Sequence, residues 1–436
     1  MKVLLISYNN NDYIHHFPMG LGYLAASLEQ KGHEVKIYSQ DLYRWPDSHL
    51  TKYLDDNNFD AVGIGVCAGY HQYNKLLSIS KAINKSKNRP HYVIGGHGPA
   101  AAPEYFKEIT NADAVVVSEA ENVDIFQKGI LAGAPIKDVD TIPYPARHLF
   151  PMDYYKLLRH QNTNSDDIVF GVLSGRGCPY KCVFCYRMVP GFRPRKTQCI
   201  MNEIEHVKTV YGATFINFYD ELLMSSERRV VEFCEEMKKQ KVRWACSGRL
   251  NIANRALMKL MRSAGCVFVN YGIEALDDKV LEIMKKKLTV KQIVSGIEAT
   301  LEAGISPGLN VIFGNVGDNQ RTLDLAVKFL LKYDDGAQMR TIRPVTPYPG
   351  CELYYRAIKE GKLKDAKEFY EKRHVNSDLL SVNFTQLSDS DFHKALYNAN
   401  KKLLENYFAN KKNKTIAMAK KLYLKNDANF RGFRRT

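Results

Sequence analysis

No apolar run in this 436-residue chain approaches the roughly 18 residues that a membrane-spanning helix requires. Internal repeats and low-complexity blocks are also missing, which excludes solenoids and fibrous arrays. The first residues, MKVLLISYNNND, have a short apolar core and no cleavage-site pattern, so they read as a first strand and not a secretion signal. The expected location is the cytoplasm. A disulfide framework is lacking too: the nine cysteines are odd in number and follow no framework spacing. In that compartment clustered cysteines are metal ligands more often than disulfides. Three of them, Cys178, Cys182 and Cys185, fall within eight residues, and no fourth lies close by. Most of the other six read as small core residues.

Length implies two or three domains. A hydrophobic content of 45% and a charged content of 25% are those of an ordinary globular protein. The net charge of +15 raises the question of nucleic acid, but its distribution argues against it. From Lys411 to Thr436 nine lysines and arginines face one Asp, a net of +8, so more than half of the excess lies in this stretch. It reads as a solvated, partly disordered basic tail, and nucleic acid is not expected as a partner.

Residues 1–135 alternate strand and helix. The apolar runs VLLISY, EVKIYS, AVGIGV, HYVIGG and DAVVVSE are five strands of a parallel sheet covered on both faces, a flavodoxin-like doubly wound α/β domain. Its ligand is expected above the carboxyl ends of the strands, where the loops NNNDYIHHFPMG, CAGYHQY and GGHGPAA lie. Residues 136–165 read as a linker with three prolines in DVDTIPYPARHLFP. A second series over 166–350 offers six strands: IVFGVLS, FINFYD, RWACSG, VFVNYGI, SPGLNVIFG and AQMRTIRPV. Six units fall short of a closed eight-fold barrel, so a partial (βα)6 barrel is expected. Residues 351–436 form a helical, lysine-rich C-terminal region.

The three cysteines follow the first strand of this second series, at the end where parallel βα folds place their chemistry. Structural zinc wants four protein ligands, usually as two close pairs. Three unpaired thiols in one loop fit an iron–sulfur cluster better, with one iron left open to an exogenous ligand.

The C-x3-C-x-aromatic-C spacing in SGRGCPYKCVFC resembles the motif of radical S-adenosylmethionine (SAM) enzymes, in the R-G-C-P-x-x-C form of members with an N-terminal cobalamin-binding domain. The resemblance covers roughly residues 1–375. It implies a [4Fe-4S] cluster on Cys178, Cys182 and Cys185, with SAM bound at the open iron and cleaved to a 5′-deoxyadenosyl radical. Further segments resemble the family's SAM contacts. Asp220 and Glu221 in FINFYDELL stand where the SAM amino group is received. Arg249 in RWACSGRLN resembles the residue that meets its carboxylate. Glu274 in VNYGIEALDD sits at the ribose position, with Ala275 in place of the usual Ser. Asn310, Gly314 and Asn315 in GLNVIFGNVGDNQ belong to the adenine-side strand. RPVTPYPGCELY resembles the turn closing the sixth strand, with Cys351 in place of Thr.

The N-terminal domain resembles the cobalamin-binding module of the same enzymes, with Tyr70, His71, Gly95, Gly96 and His97 in strand-end loops facing cobalamin. It departs in two places. The loop after the first strand, with His15 and His16, does not match D-x-H-x-x-G, and SEAEN stands where G-E-G-E is usual. The resemblance implies a cobalamin-dependent methyltransferase acting on an unactivated carbon or phosphorus of a small-molecule substrate, with an external electron donor such as flavodoxin or ferredoxin. Its rivals are an oxidative cyclase or ring-rearranging enzyme and a non-catalytic cobalamin or SAM sensor. A tRNA methylthiotransferase would need three more cluster cysteines in the N-terminal domain, which has only Cys67.

Overall fold

The computed structural model describes residues 1–160 and 162–427. The N-terminal sheet contains β1 (Lys2–Ser7), β2 (Glu34–Ser39), β3 (Ala61–Gly65), β4 (His91–Gly95), β5 (Ala114–Val116) and β6 (Gly129–Leu131) in the order β2-β1-β3-β4-β5-β6. Every pairing in it is parallel. This is the doubly wound order expected from the apolar runs, extended by β6. That strand is too short to carry a readable pattern, and it forms because Ala114–Val116 pairs with Gly129–Leu131 across an intervening turn. The order reverses between β1 and β3, and the crevice at that switch point is where such sheets take ligands.

The second series forms another parallel sheet, and β8 (Gly175–Cys178) and β9 (Gly191–Pro194) stand apart from it as a hairpin. Its strands are β7 (Val169–Val172), β10 (Phe215–Phe218), β11 (Arg243–Gly248), β12 (Cys266–Glu274), β13 (Ser306–Phe313) and β14 (Arg343–Pro344), in the order β14-β13-β12-β11-β10-β7. The six strands match the six apolar runs, and the sheet is an open partial barrel. The last is shorter than its run suggests. Arg340 turns back to Asp334 and Asp335, each at 2.7 Å, and to the Pro307 carbonyl at 3.0 Å, which takes the preceding residues out of the ladder. Helices between strands start at side-chain caps. Ser226 accepts from the Arg229 N–H and Asp277 from Lys279 and Val280, while Thr289 and Asn319 close reciprocal capping boxes.

The segment between the domains is packed and not extended. Arg147 is buried, donating to the Gly171 carbonyl and Glu203, both at 2.9 Å. Phe150, Met152 and Tyr155 join a core that runs from Val3 and Leu5 of the first sheet to Phe170 of the second.

The C-terminal region differs from the expected tail. A helix spans Asp389–Leu424, so residues from Lys411 to Leu424 are ordered, and the rest of the basic stretch beyond 427 lies outside the described residues. Phe392, Ala395, Leu396, Ala399 and Leu403 make one apolar stripe, and Phe392 stacks on Phe313 with ring centroids 5.0 Å apart. The stripe anchors the helix on the barrel, and the rest continues by local propensity. Among the described residues no helix is long and apolar enough to cross a membrane.

Candidate active site

The cysteine loop is held at its base by a hairpin that the apolar pattern did not reveal. The strand β8 (Gly175–Cys178) pairs antiparallel with β9 (Gly191–Pro194), Cys178 opposite Gly191. Gly177 has φ +80°, and a Cβ there would lie 2.3 Å from the Gly191 carbonyl oxygen, so the close approach requires glycine. Between the strands, the Cys185 N–H donates to the Cys182 carbonyl at 3.1 Å. The loop is then threaded between two distant segments: the Val183 N–H reaches the Met284 carbonyl at 3.1 Å, and the Val183 carbonyl accepts from Leu353 at 2.8 Å. The end of the helix that follows GIEALDD, at Met284, and the PYPGCELY segment are thereby drawn to the cysteines.

Among the described residues no three Cys, His, Asp or Glu side chains converge as a cage for a single ion. A four-iron cluster does not need one, because its thiolates bind different irons. Cys185 is exposed at the surface, but the packing around its thiol, with the Cys182 thiol beside it, pushes the Cys185 pKa up to about 12. Without a cluster that thiol stays protonated, and cluster binding must displace the proton. Arg187 and Lys286 act in the opposite direction, and their charges suit an anionic cluster. The donor set of three thiols on one loop, with cations beside it, fits the implied cluster.

Around the loop the residues expected to contact SAM fall into two groups. Arg249 and Glu274 converge on Lys286. Arg249 is buried and lies 3.5 Å over the ring of Tyr180, inside the cysteine loop. It donates to the carbonyls of Lys286 and Lys287, and its Nε is buried without a partner. Glu274 has φ +66° and accepts from the buried Lys286 at 2.9 Å. The Lys286 ammonium lies 5.9 Å from the Phe184 ring. Asn315 and Gly314 are tied down by Asp318, whose carboxylate accepts both backbone N–H groups, at 2.9 and 3.0 Å. The Asn315 side-chain oxygen is left buried and unpartnered. An orphan donor on Arg249 and an orphan acceptor on Asn315 fit a ligand that carries both a carboxylate and an adenine amine.

Asp220 and Glu221 are placed differently. Asp220 is buried, and its two oxygens accept from the Ser174 N–H, at 2.6 Å, and from the Ser174 hydroxyl. Burial pushes its pKa up to about 6. Asp220 therefore ties the end of β10 to the start of the cysteine hairpin. Glu221 is exposed on the same loop. Asn310 lies farther down β13 and donates to Asn270 at 2.7 Å. In register, Asn270 pairs with Gly308 and Gly272 with Asn310. Small and polar residues on this face leave the barrel open inside, whereas closed barrels fill theirs with branched side chains.

On the first sheet, Gly96 has φ +94°, and a Cβ would lie 2.4 Å from the Val66 carbonyl oxygen, so the ends of β3 and β4 run close together. Gly95 ends β4, and His97 begins the next short helix. The His97 ring stands edge-on to Tyr186, the neighbour of Cys185, at 6.2 Å. Tyr70 and His71 open the Tyr70–Asn84 helix, and His71 Nε2 is buried without a partner. His15 has no free nitrogen: Nε2 accepts from the Asn10 N–H at 2.8 Å and Nδ1 bonds Tyr154 at 2.7 Å. His16 bonds the Tyr219 hydroxyl at 3.0 Å, and His160 bonds the same hydroxyl at 3.2 Å. Close-running strand ends and one orphan imidazole nitrogen fit cobalamin in the crevice.

Sequence reasoning missed Tyr180, Tyr186 and Tyr219. It also missed Lys286, which hides in a run of three lysines, and the acids Glu119 and Glu121 of SEAEN. The last two are ion-paired to Arg176 and Arg193 of the hairpin. Only the retained acids of SEAEN gave a signal, and it pointed to no partner.

Two domain families match the chain: the B12 binding domain over residues 9–125 and the radical SAM superfamily over residues 172–330. An uncharacterized methyltransferase of Pyrococcus horikoshii is 29% identical over 379 residues, 79% of either chain. An anaerobic magnesium-protoporphyrin IX monomethyl ester cyclase of Rubrivivax gelatinosus is 24% identical over 377 residues, 77% of this chain and 65% of the cyclase. The solved radical SAM methyltransferase TsrM from Kitasatospora setae, with cobalamin and a [4Fe-4S] cluster bound, superposes with a TM-score of 0.63 at 16% identity, over 82% of this chain and 78% of that one. Fold and site thus define an α/β enzyme in which a doubly wound sheet meets a cysteine-bearing partial barrel. The chain carries a radical SAM domain preceded by a B12-binding domain. The cofactors that these two domains imply are a [4Fe-4S] cluster, SAM and cobalamin.

Proposed function

We propose that this enzyme transfers a methyl group from SAM, by way of cobalamin, to an unactivated carbon or phosphorus of a small molecule. The observation that carries the reading is the meeting of the two strand ends, where His97 of the cobalamin-type sheet faces Tyr186 beside Cys185. When bound, the cluster supplies the electron that cleaves SAM, and cobalamin carries the methyl group. The chain's residues bind, orient and keep water out. Cys178, Cys182 and Cys185 hold the cluster. Arg249 offers its free Nε to the SAM carboxylate and Glu274 an oxygen to the ribose. Glu221 is the exposed carboxylate for the amino group, while Asp220 fixes the loop. Gly314, Asn315 and Asn310 line the adenine side, and Tyr70, His71, Gly95, Gly96 and His97 line the cobalamin crevice. Substrate enters the open polar interior beside Asn270.

The division of labour we infer is 1–135 for cobalamin, 136–165 as the strap between domains, 166–350 for the cluster and SAM, and 351–436 as a helical cover. A flavodoxin or ferredoxin as electron donor and the cytoplasm as location belong to the same reading.

The cyclase relative supports a second reading, oxidative ring closure on the same scaffold. Anaerobic reconstitution with cobalamin and SAM labelled with a deuterated methyl group separates them. Methylation gives S-adenosylhomocysteine alongside 5′-deoxyadenosine and a product heavier by the labelled methyl. Cyclisation gives 5′-deoxyadenosine with no label in the product. A sensor gives no 5′-deoxyadenosine.

A further inference from the structure

In the hairpin that closes the cysteine loop, Arg176 of β8 lies directly opposite Arg193 of β9. Like charges facing each other across an antiparallel pair oppose its formation. Both side chains are largely buried, at 17% and 16% exposure, so water does not screen them. Neither strand carries an acid that could compensate.

The compensation comes from the other domain. Glu119, just past β5, is itself only 6% exposed. Its Oε1 accepts from Arg176 at 2.9 Å and from Arg193 at 3.0 Å, and its Oε2 accepts from Arg193 at 2.6 Å and from the Ile136 N–H at 3.0 Å. Glu121 takes the second fork of Arg176 at 2.6 Å. Two cations thus meet two anions, and both anions come from the B12-binding domain. The carboxylate of Glu119 has no capacity left for a ligand, so its role is not contact with cobalamin or substrate.

We infer that Glu119 is a positioning residue for the iron–sulfur loop, neutralising the opposed Arg176 and Arg193 so that the β8–β9 ladder, with Cys178 in it, can close. The cluster loop of the barrel is therefore completed by the neighbouring domain. This also accounts for the form of SEAEN: the glycines of the usual pattern are replaced while both acids remain. The inference rests on Cys178, Cys182 and Cys185 holding the cluster and not on the reaction being methylation.

The test uses the full chain with Glu119→Gln, Arg193→Gln and the double variant. Backbone hydrogen exchange of residues 175–178 and 191–195 is measured before and after reconstitution, with iron content and the electron paramagnetic resonance of the reduced cluster. Glu119→Gln is expected to speed exchange in both strands at least tenfold, lower iron content and broaden the cluster signal. Arg193→Gln alone removes the repulsion across the ladder but leaves two carboxylates on Arg176, so its defect should be smaller than that of Glu119→Gln. The double variant, with the charges balanced again, should recover protection and iron content. If Glu119 merely glued the domains together, deleting a second contact would worsen the defect. A double variant worse than the single one therefore overturns the inference, as does a Glu119→Gln protein with unchanged exchange and iron content. Should Glu119→Gln fail to fold, recovery of a folded, iron-loaded double variant supports the same conclusion, and failure of both overturns it. Absence of methyl transfer in variants that hold a normal cluster would count against the proposed reaction and leave this inference standing.

Discussion

The guanidinium of Arg249 lies 3.5 Å over the ring of Tyr180, joining the end of β11 to the interior of the cysteine loop. The contact holds a buried cation in place by stacking and by the Lys286 and Lys287 carbonyls, while leaving one donor unpaired. A cation pre-positioned with a spare donor beside an iron site is suited to grip a carboxylate.

Arg249→Ala should raise the dissociation constant for SAM about tenfold or more, worth at least ~1.4 kcal/mol, with iron content unchanged. Equilibrium dialysis against the cluster-loaded protein reads this. Arg249→Lys should not rescue it, since an ammonium has neither the planar face that stacks on Tyr180 nor the rigid fork of donors. An equal loss of iron would instead make Arg249 a support for the loop.

Replacing Cys178, Cys182 or Cys185 by Ala should abolish the brown iron–sulfur absorption and SAM cleavage. Cys234 and Cys266 are buried in the barrel core, and Cys199 lies on the Thr197–Tyr211 helix, so their Ala variants should keep both. Visible absorption and chromatography of 5′-deoxyadenosine suffice.

Asp220 gives a pH signature. Its pKa rises from 3.8 to about 6 on folding, because burial disfavours the carboxylate. The folded state therefore holds the proton more tightly. The contribution to stability is greatest below about pH 4, falls as pH rises from 4 to 6, and is flat above. The loss by pH 7 is roughly 3 kcal/mol. Asp220→Asn, which keeps a hydrogen-bonding partner for Ser174, should flatten this part of the profile in urea unfolding of the apoprotein from pH 4 to 7. An unchanged slope would exclude Asp220 as its source.

Cobalt should carry no nitrogen ligand from the loop after β1. Both nitrogens of His15 are engaged, and His16 is held by Tyr219. The cob(II)alamin electron paramagnetic resonance spectrum should lack nitrogen splitting, with the cofactor's own base displaced. His71, with its orphan Nε2, is the residue that would overturn this: a three-line splitting lost in His71→Ala would make it the ligand.

Deleting Lys411–Thr436 should leave SAM cleavage intact, because the buried stripe of the last helix ends at Leu403. The same deletion should remove no more than about 1 kcal/mol of stability, since among the described residues it removes no buried side chain of the last helix. RNA binding that falls steeply with salt and disappears on deletion would give the basic stretch a function instead.

The sequence by itself determined the order of elements and the three thiols. Continuous apolar strands such as VLLISY and AVGIGV announce a buried parallel sheet, and C-x3-C-x2-C needs no neighbour to be read as a ligand set. It also put Arg249 and Glu274 at strand ends, because strand-end position is a local property. What it could not decide was who meets whom. Asp220 and Glu221 are adjacent acids with the same local signal, yet one is consumed by Ser174 and the other stands exposed. Lys286 looks like either neighbour in its run until the fold buries it against Glu274. Arg176 reads as one residue of the R-G-C-P motif, and Glu119 as a retained acid in a segment that has lost its glycines. Only the docking of two domains makes them one charge-balanced site, because an ion pair across 57 residues leaves no period in the chain.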